Sequence, residues 1–358
     1  MYILSVGMAF PGPLHKQDDL LPELSRAWGD RVTDRERSLL ERLSKSAGVQ
    51  SKHLAMDPGD YSVKTSFTER NRVFQSVGLE LGNQAVSSAL NAVDALASDI
   101  DAIFFTTVTG LSVPSVDSLV AGSLGMRENI KRVPLFGLGC VAGVAGLARV
   151  HDYLLAWPTH AVVLLAVELC SLTLQIDDLS PESIVASTLF GDGAAAVLCV
   201  GENHPLVGRA ALESLASTSR LYPNTKHIMG WDVGSHGFKI LLDPGVPQLV
   251  KDFFADDVRR FLSQHNLETS DIRSWISHPG GPKVLQALTS SLDLTDDALS
   301  VSRRQLAQVG NLSSASVLGI LKQTIIEHGD KMVKPSDHAL MMAMGPGFCS
   351  EQLLCRWT

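Results

Sequence analysis

The chain has 358 residues, 45% of them apolar, with 38 acidic against 30 basic side chains and a formal charge of −8. That length supports a large core in one or two domains, and the acidic balance offers no basic field for nucleic acid or an anionic membrane surface. Five cysteines (Cys140, Cys170, Cys199, Cys349 and Cys355) without a C-x-x-C pair argue against a disulfide framework or a zinc site, and favour a reducing cytoplasm.

The opening "MYILSVGMAFPG" lacks a basic leader, so it reads as a first strand turning at Pro11-Gly12 and not as a signal peptide. No apolar run approaches the roughly 20 residues of a membrane span. Between Arg31 and His53, six basic residues (Arg31, Arg35, Arg37, Arg42, Lys45 and Lys52) face three acidic ones. Such a segment is either a solvated helix face or a contact for a phosphorylated carrier. "AIFFTTV", "AVVLLAVE", "AAAVLCVG", "SWISH" and "ALMMAMGP" read as strands alternating with helical patterns, the signature of an α/β fold. "GDGAAAVL" after Phe190 leads into a strand and not a helix, which excludes a dinucleotide loop.

A repeat organises these elements. "DIDAIFFTT" from Asp99 parallels "DIRSWISHP" from Asp271, "GLGCVAGVAGL" around Cys140 parallels "QVGNLSSASVL" around Asn311, and "THAVVLLAVE" parallels "DHALMMAMGP". Three matches in one order at nearly one spacing predict an internal duplication. The boundary falls between residues 201 and 210, giving halves 1–205 and 206–358. Cys140 and Asn311 then stand at equivalent helix starts across the junction. Gly143, Ala145 and Gly146 on one helix, with Ser313, Ser314 and Ala315 on the other, predict close packing of the two.

Chemistry is expected at that junction. A helix N-terminus favours thiolate over thiol, so Cys140 is predicted to be an activated nucleophile, whereas Cys199 and Cys355 read as core. His278 in "SHPGGPKVL" ends a strand, where α/β sheets bind ligands. Asn311 is either the N-cap of its own helix or a neutral hydrogen-bond donor. Together the three supply a nucleophile, a proton partner and a donor suited to an enolate formed by decarboxylation.

In "GCVAG", "TLFGDGAAAVL", "HPGGPKVL", "GNLSSASVL" and "MGPGF" the chain resembles the type III polyketide synthases, the chalcone-synthase-like branch of the thiolase fold. "MGWDVGSHGFKILL" is similar to bacterial members. The resemblance implies a five-layered αβαβα fold of two duplicated halves, with Cys140 holding the acyl chain and His278 and Asn311 binding malonyl thioester. It makes Phe190 and Phe238 gate residues, and puts Cys170, Thr173 and Ser313 on the cavity. Arg42 matches a coenzyme A contact; Leu39 and Ser46 replace further basic positions, with Lys45 as substitute. The turn Gly345-Pro346-Gly347 falls on the substrate-binding cavity floor by the same resemblance, but departs from the family, which usually has a phenylalanine between two glycines there. Val113 in "TGLSVPSVD" matches a position that reaches into the partner's cavity, which implies a homodimer.

The implied reaction is decarboxylative Claisen condensation of malonyl-coenzyme A with an acyl starter, followed by closure to a pyrone or resorcinol-type ring. No cofactor is implied beyond the coenzyme A thioesters themselves, and neither nucleic acid nor membrane insertion is expected. Three rivals use the same residues: a ketosynthase joining two carrier-protein-bound chains, a cysteine hydrolase, and an acyl-binding scaffold with inert Cys140.

Overall fold

The computed structural model describes residues 1–63, 66–330 and 334–358. Nine strands form one hydrogen-bonded sheet in the order 272–277, 338–345, 349–357, 212–221, 2–9, 192–200, 161–169, 102–107 and 131–136. The order reads alike outward from the centre. Tyr2–Ala9 and Leu212–Leu221 meet there antiparallel, through Tyr2 with Glu213 and Ile3 with Leu212. From each, the next strand outward is antiparallel, the next antiparallel again, and the following one parallel. The 1–205 side adds a fifth strand, Lys131–Phe136, parallel to Ala102–Thr107. The Asp99 and Asp271 segments match locally as well, each closing a short 3-10 turn just before its strand.

Strands buried on both faces read as unbroken apolar runs, because successive side chains enter different cores. Along Ala161–Leu169, the residues Val163, Leu165 and Val167 pack outward, while Val162, Leu164 and Ala166 pack inward. His338–Gly345 does the same, with Leu340, Met342 and Met344 outward and Ala339, Met341 and Ala343 inward. The inner faces enclose the helices Ala142–Ala156 and Ser314–Asp330, whose Val144, Leu147, Val317 and Leu321 share one core with both halves. Outside lie Phe67–Asn91 on one face and Ala255–Gln264 with Pro282–Ser291 on the other. This is the five-layered thiolase-like arrangement.

The two central helices touch where small residues allow it. A Cβ on Gly143 would lie 2.4 Å from the Ser314 carbonyl oxygen and 2.5 Å from Val317. Gly146 serves differently from the expectation: its face meets Leu164 of the neighbouring strand, 2.7 Å from an added Cβ. No helix among the described residues is long and apolar enough to cross a membrane.

Candidate active site

Three short connecting segments converge on the junction of the halves. Gly139–Val141 forms a 3-10 turn ahead of Ala142–Ala156, with Cys140 at its centre. Gly139 has φ +56, and a Cβ there would meet Pro346 at 2.6 Å, so only glycine lets the turn seat against the loop after His338–Gly345. His278 directly follows Ile272–Ser277, and its backbone N–H donates to the Met342 carbonyl at 2.9 Å. Asn311 is not at a helix start. The helix begins at Ser314, and Asn311 instead forms an isolated parallel bridge with Phe190, its N–H donating to the Leu189 carbonyl.

That bridge fixes the carboxamide. The Ser313 N–H donates to Asn311 Oδ1 at 2.8 Å, with the Ser316 hydroxyl at 3.5 Å. The Nδ2 donors keep no partner among the described residues. The His278 ring is also unengaged, its Nδ1 buried without a partner. The Cys140 thiol donates weakly to the Ser313 hydroxyl at 3.5 Å. All three catalytic candidates line one cavity of about 1670 Å³, part of it open to solvent, together with Phe190, Cys170, Ser313 and Pro346.

Burial pushes the Cys140 thiol up to about 12, so loss of hydration opposes the activation expected from its place ahead of the helix. Burial drives the His278 imidazole down to about 3. Glu168, at the end of Ala161–Leu169, is fully buried and acts electrostatically on Cys140. It accepts from the Ser314 hydroxyl at 2.5 Å, Thr109 Oγ1 at 3.0 Å and the Val108 N–H at 3.2 Å, and burial raises its carboxyl to about 7. Its sequence signal was a lone carboxylate closing an apolar run.

Other expected contacts separate. A second cavity of about 900 Å³, also partly open, shares Cys170, Phe190, Trp231 and Ile240 with the first. Thr173 lines this second cavity only. Phe238 lines neither: it is buried behind Trp231, with ring centroids 6.1 Å apart, and meets Phe67 edge-on. Trp231 therefore forms the wall that motif matching gave to Phe238. Gly345 backs onto Val141 and Leu138, and Gly347 makes the turn at φ +99, so of these three only Pro346 reaches the cavity. Val113 is 99% exposed, next to a cis Val113-Pro114 bond. Arg42 and Lys45 are exposed on Asp34–Ala47, but the cavity mouth is lined by Leu43, Ser46 and Ala47 of that helix and by Lys283.

The duplicated five-layered architecture defines a protein of the thiolase class. Residues 1–203 match the family model for the N-terminal domain of chalcone and stilbene synthases, and residues 213–358 match the model for the C-terminal domain. The chain belongs to this family and is a bacterial type III polyketide synthase, a condensing acyltransferase. It is 45% identical to a 1,3,6,8-tetrahydroxynaphthalene synthase of Streptomyces peucetius subsp. caesius, over 99% of this chain and 93% of that one. A putative chalcone synthase of Bacillus subtilis is 33% identical, over 99% and 98%. The crystal structure of 1,3,6,8-tetrahydroxynaphthalene synthase from Streptomyces coelicolor A3(2) superposes with a TM-score of 0.92 at 28% identity, covering 100% of this chain and 99% of that one.

Proposed function

We propose that the protein condenses malonyl-coenzyme A onto an acyl starter held as a thioester on Cys140, then closes the poly-β-keto chain to a polyhydroxylated aromatic. The observation that carries this reading is one mostly apolar cavity lined by a thiol, an unengaged imidazole and free carboxamide donors.

Isolated charges on Cys140 and His278 are each disfavoured by burial, but a thiolate and an imidazolium formed together attract across a low-dielectric space. The Cys140 proton passes to His278, the sulfur adds to the starter carbonyl, and coenzyme A leaves as the thiol carrying that proton. Malonyl thioester then loses carbon dioxide. The electron pair left behind becomes an enolate whose oxygen is met by Asn311 Nδ2–H and a His278 N–H. Its carbon attacks the Cys140 thioester and expels the sulfur as thiolate, leaving the lengthened chain on coenzyme A, from which it returns to Cys140 for the next round. Neutral donors suit this step, because they stabilise developing charge without protonating the carbon.

Division at 1–205 and 206–358 assigns Cys140 to one half and His278 with Asn311 to the other. Arg42, Lys45 and Lys283 supply positive charge near the mouth for coenzyme A phosphates, and the exposed Val113 suits a homodimer in which it meets the partner's cavity. A reducing cytoplasm suits the free thiols. The comparisons do not favour carrier-bound substrates, hydrolysis or an inert scaffold.

The test is mass spectrometry of products from malonyl-coenzyme A alone, from acyl- plus malonyl-coenzyme A, and from carrier-bound substrates. An aromatic polyketide from the coenzyme A thioesters is expected, with Cys140→Ala losing the acyl-enzyme. His278→Ala and Asn311→Ala should each slow carbon dioxide release about a hundredfold. Undiminished turnover in all three variants would overturn the proposal.

A further inference from the structure

The second cavity contains a charge that the condensation does not use. Leu20, Leu21 and Leu24 of the helix Gln17–Trp28, with Leu54 and Ile176, give it an aliphatic lining. Most of its charged side chains are already paired: Asp178 with Lys239 at 3.2 Å, and Glu23 with Arg26 at 2.5 Å. Lys52 is different. It is 4% exposed and donates to the Ser187 carbonyl, and it has no other hydrogen bond or ion pair among the described residues. The neighbouring carboxylate, Asp192, is taken up by the Ala55 N–H, the Ser171 N–H and the Ser171 hydroxyl.

An ammonium group carries three donors; Lys52 spends one on a neutral carbonyl and feels Asp192 only across space, so the remaining donors lack acceptors. Lys52 and Ser187 both line the cavity, so the missing acceptor has room to arrive from it. We infer that the second cavity is a binding site for a carboxylate-terminated aliphatic chain, with the carboxylate on Lys52 and the chain along Leu20, Leu21 and Leu24. An aliphatic chain without a polar end would leave the spare Lys52 donors without acceptors, and a compact polar anion would leave the leucines unfilled. The carboxylate has two sources. It comes as a free fatty acid from solution, or as the far end of the enzyme's own acyl chain passing the shared wall at Phe190 and Trp231.

The primary test is calorimetric titration of the Cys140→Ala protein with sodium octanoate, and with octan-1-ol as neutral control. Substituting Lys52→Met in that background should weaken octanoate by about tenfold or more and leave octan-1-ol unchanged. Equal octanoate affinity in both proteins overturns the site, and would reduce Lys52 to a closure of the helix Pro181–Leu189. If Lys52→Met does not fold, Leu21→Trp, which fills the lined space, should abolish octanoate binding; unchanged binding overturns the site equally.

The source is read from intact-mass loading rates of otherwise wild-type Cys140 with octanedioyl- and octanoyl-coenzyme A. Preference for the octanedioyl thioester that Lys52→Met removes supports the enzyme's own chain; discrimination confined to free octanoate supports a ligand from solution. This arm alone rests on the synthase reading. A protein that loads neither thioester counts against that reading and leaves the octanoate titration to decide the site.

Discussion

At the scale of single residues, burial acts on Cys140 and His278 in opposite directions, and the consequence is a nucleophile that depends on its neighbour. A thiol pushed up to about 12 would be inert near neutral pH unless its proton had somewhere to go. Alkylation of wild-type Cys140 by iodoacetamide at neutral pH should therefore fall by about tenfold or more in His278→Gln. Equal rates would return the activation to the turn Gly139–Val141. Glu168 gives a second prediction. Its carboxyl is raised from 4.5 to about 7 by burial, so the folded chain holds that proton more tightly than the unfolded one. The associated stability is fully present below about 4.5 and is lost as pH rises through about 7. Glu168→Gln keeps the Val108 and Thr109 donors on its oxygen and offers its amide to the Ser314 hydroxyl. Urea unfolding should shift in favour of the variant by up to about 3 kcal/mol between pH 4.5 and 8; a difference independent of pH would contradict the buried carboxyl.

At the scale of elements, the site depends on how closely two helices approach. Gly143 lets the Cys140 helix seat on Ser314, so Gly143→Ala forces a Cβ to within 2.4 Å of backbone. It should cost about 1–3 kcal/mol in denaturant unfolding and lower turnover by shifting Cys140 relative to Asn311. Undisturbed stability and rate would mean that the contact is slack. This approach was legible from the run of small residues, as were the strands whose apolar runs feed two cores. Less legible was anything decided by tertiary packing. The extended segment at Asn311 looks like a helix start because Asn is a favoured N-cap and an apolar helical pattern follows, yet the bridge to Phe190 overrides that preference. Phe238 matches a gate by local sequence, but it shares one face of the ribbon Met229–Leu242 with Trp231, and position along that face decides: Trp231, opposite Ile240, stands at the cavity, while Phe238, opposite Val233, packs on Phe67. Lys52 stood in a row of basic residues, and nothing in that row tells a buried ammonium from a solvated one.

At the scale of the molecule, the halves are unequal in one respect that bears on assembly. The sheet ends on one side at Ile272–Ser277, largely buried, and on the other at Lys131–Phe136, four of whose six residues are exposed and two half-buried. An exposed edge of unpaired backbone groups is a template for another strand. Phe136 at its end is 57% exposed, and the loop carrying Val113 leaves the adjacent strand Ala102–Thr107. A second copy, related by two-fold symmetry, would pair this edge with itself, bury Phe136 in that isologous contact and bring Val113 to the partner's cavity. Sedimentation should give twice the 38.5 kDa chain mass, and Phe136→Asp, which places a charge on the shared edge, should shift the protein to a monomer. Val113→Lys should keep more of the dimer while altering the product profile, because its side chain would reach the partner's cavity and not the edge. A wild-type chain that sediments as a monomer at micromolar concentration would refute this arrangement, and with it any part for Val113 in the neighbouring site.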